Sequence, residues 1–129
     1  MAKIIRDLWI LTESGLTLFS RVIDPKMGPQ VFGGLMIALN TYAESLTEGG
    51  ISNFELSSIR FTIVKNNNFL FVASSPNDIK TKKVLNELKK ISQKFFEVYP
   101  ENILNNFSSN IRVFSEFKNH ITDSLEEID

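Results

Sequence analysis

Cysteine is absent from this chain, which removes disulfides, thiolate metal sites and cysteine nucleophiles from consideration. Histidine occurs once, at His120, and neither a metal site nor a triad follows from one imidazole with no identifiable partner. There is no excess of charge of either sign: 14 basic side chains against 15 acidic ones leave a formal charge of -1, which gives a nucleic-acid partner no general electrostatic footing. No apolar run approaches the roughly 18 residues of a membrane span. The N-terminal MAKIIRDLWILTESG is broken by Asp7 and followed by no small-residue cleavage site, so no secretory leader is read there. A glycine-rich phosphate loop and a serine elbow are missing as well. These absences predict a non-enzymatic, cytoplasmic chain with no metal and no cofactor.

What is present is periodic. At 129 residues the chain is expected to form one domain, 1–129. Residues 4–11 are apolar on both alternating sets, with Ile4, Leu8 and Ile10 on one side and Ile5, Trp9 and Leu11 on the other, so this strand should be covered on both faces. Glu13-Ser14-Gly15 supplies a turn tolerant of positive φ, and a second strand returns over 16–23 to end at Asp24-Pro25. Over 30–46 the period becomes helical, with Val31, Leu35, Ala38, Leu39, Tyr42 and Leu46 as the expected core face. Three strands follow in ISNFELSS, IRFTIVKN and NFLFVASS, broken at Ser57-Ser58 and at the Asn66-Asn67-Asn68 run. Ser75-Pro76-Asn77-Asp78 reads as a helix start. The helix beyond it buries Val84, Leu85, Leu88, Ile91, Phe95, Val98 and Tyr99 and stops at Pro100. A last helix, capped at Ser109 or Asn110, places Phe114, Phe117, Ile121 and Leu125 on one face.

The expected architecture is therefore α+β in α/β/α layers: a five-stranded antiparallel sheet in the order β-β-α-β-β-β-α-α, with the opening hairpin at the sheet's centre. That order, with NFELSSIRFTIVKNNNFLFVASSPND leading through a long helix into KFFEVYPENI, resembles the longin fold over nearly the whole chain, and within it the small chains of clathrin-adaptor and coatomer complexes. The resemblance implies a protein-interaction module that serves as a subunit or platform in small-GTPase regulation or vesicle trafficking, working as a homodimer or beside a longin- or roadblock-type subunit. The SNARE branch would require a heptad segment, which the sequence does not show. The alternative is a roadblock-like or profilin-like regulatory domain that binds a small ligand or a GTPase. A roadblock chain is expected to begin with a helix, and this one begins with a hairpin.

Candidate contact residues come from the helical wheel. Opposite the expected core face of residues 30–46 fall Gly33, Gly34, Ile37, Thr41 and Glu44, and two glycines inside a helix suit a closely approaching partner backbone. The longin resemblance adds the neighbouring strand, with Phe54 and Leu56. A second surface is the lysine face of the long helix, Lys80, Lys82, Lys83, Lys89, Lys90 and Lys94, interrupted by Glu87 and Glu97; anionic lipid or an acidic protein would suit it, through Lys80, Lys83, Lys90 and Lys94 above all, in peripheral membrane association. His120 is read as a boundary histidine. Glu126, Glu127 and Asp129 are read as a solvated tail.

Overall fold

In a computed structural model, residues 4–22, 33, 34, 37, 53–56, 59–100, 104 and 111–121 are described. The elements are β1 (Asp7–Thr12), β2 (Thr17–Arg21), β3 (Asn53–Leu56), β4 (Ile59–Asn66), β5 (Phe69–Pro76), the helix α1 (Thr81–Val98) and a 3-10 helix (Ile111–His120). The strands form one antiparallel sheet in the order β2-β1-β5-β4-β3. The opening hairpin thus supplies one inner strand and one edge. The middle position belongs to β5, which pairs with β1 on one side and β4 on the other.

Side-chain alternation along β1 and β5 divides the core between the two faces of the sheet. Leu8, Ile10, Phe71 and Ala73 join Leu88, Ile91 and Phe95 of α1 and Phe114 and Phe117 of the 3-10 helix. Trp9, Leu11, Leu70 and Val72 face the other way with Ile63, and Ile37 packs on them. Coverage of β1 on both faces follows from its composition. Ile5 was expected beside Trp9, but it lies fully buried with Leu8 and Ile10. A bend at Arg6 breaks the alternation, so the regular strand starts only at Asp7. The start is tied down there: Ser74 Oγ donates to Asp7 Oδ2 at 2.7 Å and accepts from the Asp7 amide at 3.0 Å.

The turns obey local chemistry. Gly15 has φ +96°, and Leu16 N donates to Thr12 Oγ1 at 3.1 Å across the turn. Asn67 and Asn68 have φ of 50° and 69°, the two left-handed residues of a tight hairpin between β4 and β5.

Two helix boundaries differ from expectation. Ser75 and Pro76 do not start α1; they extend β5 and pair with Arg60 and Ile59 of β4. Sheet pairing wins over the local capping signal because proline is tolerated at a strand's end. The helix begins at Thr81 behind Lys80, with no side-chain cap. Arg60 holds the intervening turn by donating from Nη1 to the Ile79 carbonyl at 2.6 Å and from Nη2 to the Asn77 carbonyl at 3.0 Å. The last element is 3-10 rather than α. At three residues per turn, Phe114, Phe117 and His120 fall in one row, the two phenylalanines buried and the imidazole exposed and stacked on Phe117. Leu125, Ser109 and Asn110 lie outside the described residues.

Tyr99 closes the aromatic cluster against Phe95 and Phe114. Burial raises its phenol pKa above 10.0, and Glu116 adds to the shift. A pKa raised in the folded state means that the associated stability is complete below the unfolded value of about 10 and is lost as pH rises through the folded one. Chemical denaturation should therefore show stability falling above about pH 10 in the wild type, and falling less steeply in Tyr99→Phe.

Candidate pairing and docking surfaces

The helical residues Gly33, Gly34 and Ile37 do not share one orientation. Gly33 is buried against the β1–β2 turn: a Cβ placed on it would overlap the Gly15 carbonyl oxygen and lie 2.9 Å from Thr17 Oγ1. Ile37 is half-buried and packs on the Trp9, Leu11 and Val72 cluster, with its Cγ1 3.3 Å from where a Gly15 Cβ would be. Both were expected to point away from the core, and both face the sheet. Residues four apart share a helix face, so Gly33 and Ile37 turn inward together. The wheel failed because apolar residues occupy most of the circumference over 30–46, leaving the phase to be set by the close approach of two backbones instead of by hydrophobicity. Gly34 does point outward, with nothing within 4 Å of a Cβ built there. Thr41, Glu44 and the expected core face from Val31 to Leu46 lie outside the described residues.

Phe54 and Leu56 sit on β3, opposite Phe61 and Ile59 of β4. Among the described residues β3 ends the sheet on that side. An edge strand presents a row of unpaired amides and carbonyls to whatever approaches it.

The lysine face is where the sequence placed it. Lys80, Lys82, Lys83, Lys89, Lys90 and Lys94 are all exposed. Glu87, which the sequence suggested only as an interruption among them, is buried to 6 % exposure, with its carboxylate 3.7 Å from Lys90 Nζ. It falls at the flank of the buried stripe, one residue before Leu88, a position visible from helical spacing alone. Lys94 reaches Glu97 at 3.8 Å.

Among the described residues no group of His, Asp and Glu side chains could hold a metal ion, and no helix is long and apolar enough to cross a membrane. The acidic tail Glu126, Glu127 and Asp129 lies outside the described residues.

No protein-family profile and no curated protein matches the chain. Solved structures do. MglB of Myxococcus xanthus superposes with a TM-score of 0.58 at 14% identity, over 73% of this chain and 82% of that one. An MglB with tetrameric arrangement gives 0.52 at 15% identity, over 68% and 73%. A Roadblock/LC7 domain from Streptomyces avermitilis gives 0.53 at 12% identity, over 72% and 87%. At such identities the likeness is one of fold, and the fold is of the roadblock and longin-like kind. The narrower resemblance to clathrin-adaptor and coatomer chains finds no support in these structures. Nor does an opening hairpin separate the chain from roadblock domains, since the match to one covers 72% of this chain and 87% of that one.

Proposed function

We propose that the chain is a non-enzymatic interaction module that pairs with a second copy and presents the pair as a platform for a small GTPase, within a regulatory or trafficking assembly. The observation that carries this reading is the fold: an antiparallel sheet ending on β3, built as in MglB and Roadblock/LC7 structures, one of which has a tetrameric arrangement. Pairing runs through the outward side of the helix that carries Gly34 and through the outer edge of β3, with Phe54 and Leu56, and with Thr41 and Glu44 as further contact residues. Gly33 and Ile37 support this surface from below and do not form it. Affinity capture with the purified protein, in extract supplied with either GDP or a non-hydrolysable GTP analogue, tests the platform. Nucleotide-dependent enrichment of a small GTPase is expected; equal recovery in both states, or no GTPase at all, contradicts it.

Pairing has its own test. Gly34→Arg puts a long side chain where nothing lies within 4 Å and replaces a helical glycine, so the isolated domain should fold with a Tm no lower than the wild type's. Its self-association should weaken by about tenfold or more, the loss expected when bulk and charge enter an interface.

A further inference from the structure

The exposed side of α1 is basic, and its composition narrows what it can meet. Val84, Leu88, Ile91 and Phe95 are buried against the sheet, and at 100° per residue Lys82, Lys83, Lys89, Lys90 and Lys94 spread over the opposite side. Lys90 and Lys94 are partly compensated by Glu87 and Glu97. Lys82, Lys83 and Lys89 have no ion pair among the described residues. Residues 80–94 hold six of the chain's 14 basic side chains and one of its 15 acidic ones, so this segment carries +5 and the remainder -6. In a chain of net charge near zero, the positive charge is thus concentrated on one helix.

Between the lysines this side offers Asn86, Gln93 and Glu97, with the half-buried Leu85 and Phe96 only at its margin. A protein interface is anchored by aromatic or aliphatic side chains in pockets and is depleted in lysine. A single-stranded nucleic acid needs rings to stack on. The middle of this face has neither anchor, and Phe96 at its margin is packed against the core. A lamellar anionic surface requires neither, because each lysine near it contributes independently and the attraction is long-ranged and screened by salt.

We propose that α1 docks its lysine side on an anionic lipid surface. Docking through this one helix orients the domain. Gly33 and Ile37 pack on the opposite face of the sheet from α1, so docking leaves the side that carries Gly34 open to protein partners. The proposal does not depend on the GTPase reading.

Cosedimentation of the intact chain with phosphatidylcholine vesicles, with and without phosphatidylserine, tests it. Binding is expected only with phosphatidylserine, and it should weaken steeply with added salt. The triple variant Lys82→Glu, Lys83→Glu, Lys89→Glu should keep the wild-type Tm, since all three side chains are exposed, and bind on the order of 100-fold more weakly. The corresponding Lys→Gln triple should fall in between. The proposal is overturned if the wild type ignores phosphatidylserine, if the variants bind as the wild type does, or if an acidic polypeptide or an oligonucleotide is bound where vesicles are not.

Discussion

Phe95→Ala should remove about 3–5 kcal/mol of stability, a large part of the roughly 5–15 kcal/mol that holds a domain together. Phe95 is fully buried where three elements meet. Its ring contacts Phe69 and Phe71 of β5 at 5.9 and 5.6 Å, Phe114 and Phe117 of the 3-10 helix at 5.7 and 5.3 Å, and Phe96 and Tyr99 beside it in the chain. Most of these contacts are tilted or edge-to-face, the geometry that the ring quadrupole favours. Truncation deletes a side chain that joins α1 both to the sheet and to the 3-10 helix, and the surrounding rings are too large to collapse into the space. Phe96→Ala, in a half-buried ring one residue on, should cost less than half as much. Urea denaturation of the two variants checks both; equal losses would mean that the cluster has no centre.

The second large effect concerns two adjacent glycines that should behave in opposite ways. Gly33→Ala forces a methyl group onto the Gly15 carbonyl and against Thr17 Oγ1. The colliding atom is backbone and sits in a turn fixed by φ +96° at Gly15, so it cannot swing aside as a side chain would. A loss of roughly 2–3 kcal/mol is expected, on the order of 10 °C in Tm. Gly34→Ala meets no atom within 4 Å and gains helix propensity, so the isolated chain should be stabilised by up to about 1 kcal/mol. Thermal melts at low concentration separate the two. Equal effects would mean that the hairpin and the helix do not meet at Gly33.

This glycine pair also marks how far the sequence could be read. Local chemistry was legible: the positive φ at Gly15, the asparagine turn at Asn67-Asn68 and the buried stripe of α1 all follow from residue type and spacing. Long-range pairing was not. Nothing near residues 7–12 signals that β1 pairs with β5, more than fifty residues away, and so places β5 in the middle of the sheet. The same gap produced the wrong phase at Gly33 and Ile37, because the reason for a glycine at 33 is the carbonyl of Gly15 and not anything in its own helix. Ser75-Pro76 misled in the other direction, since a sound capping signal was overridden by the pairing of both residues with β4. For the docking surfaces, the lysine face needed only helical spacing. The outward side at Gly34 needed the structure to separate it from its inward neighbours.

Self-association is the claim on which the platform reading rests, and sedimentation equilibrium of the purified chain over a wide concentration range measures it directly. The account predicts a mass that rises with concentration to twice the 14.7 kDa of the single chain or a higher multiple, and a shift of that rise to higher concentration in Gly34→Arg. A mass of 14.7 kDa at every concentration would contradict it.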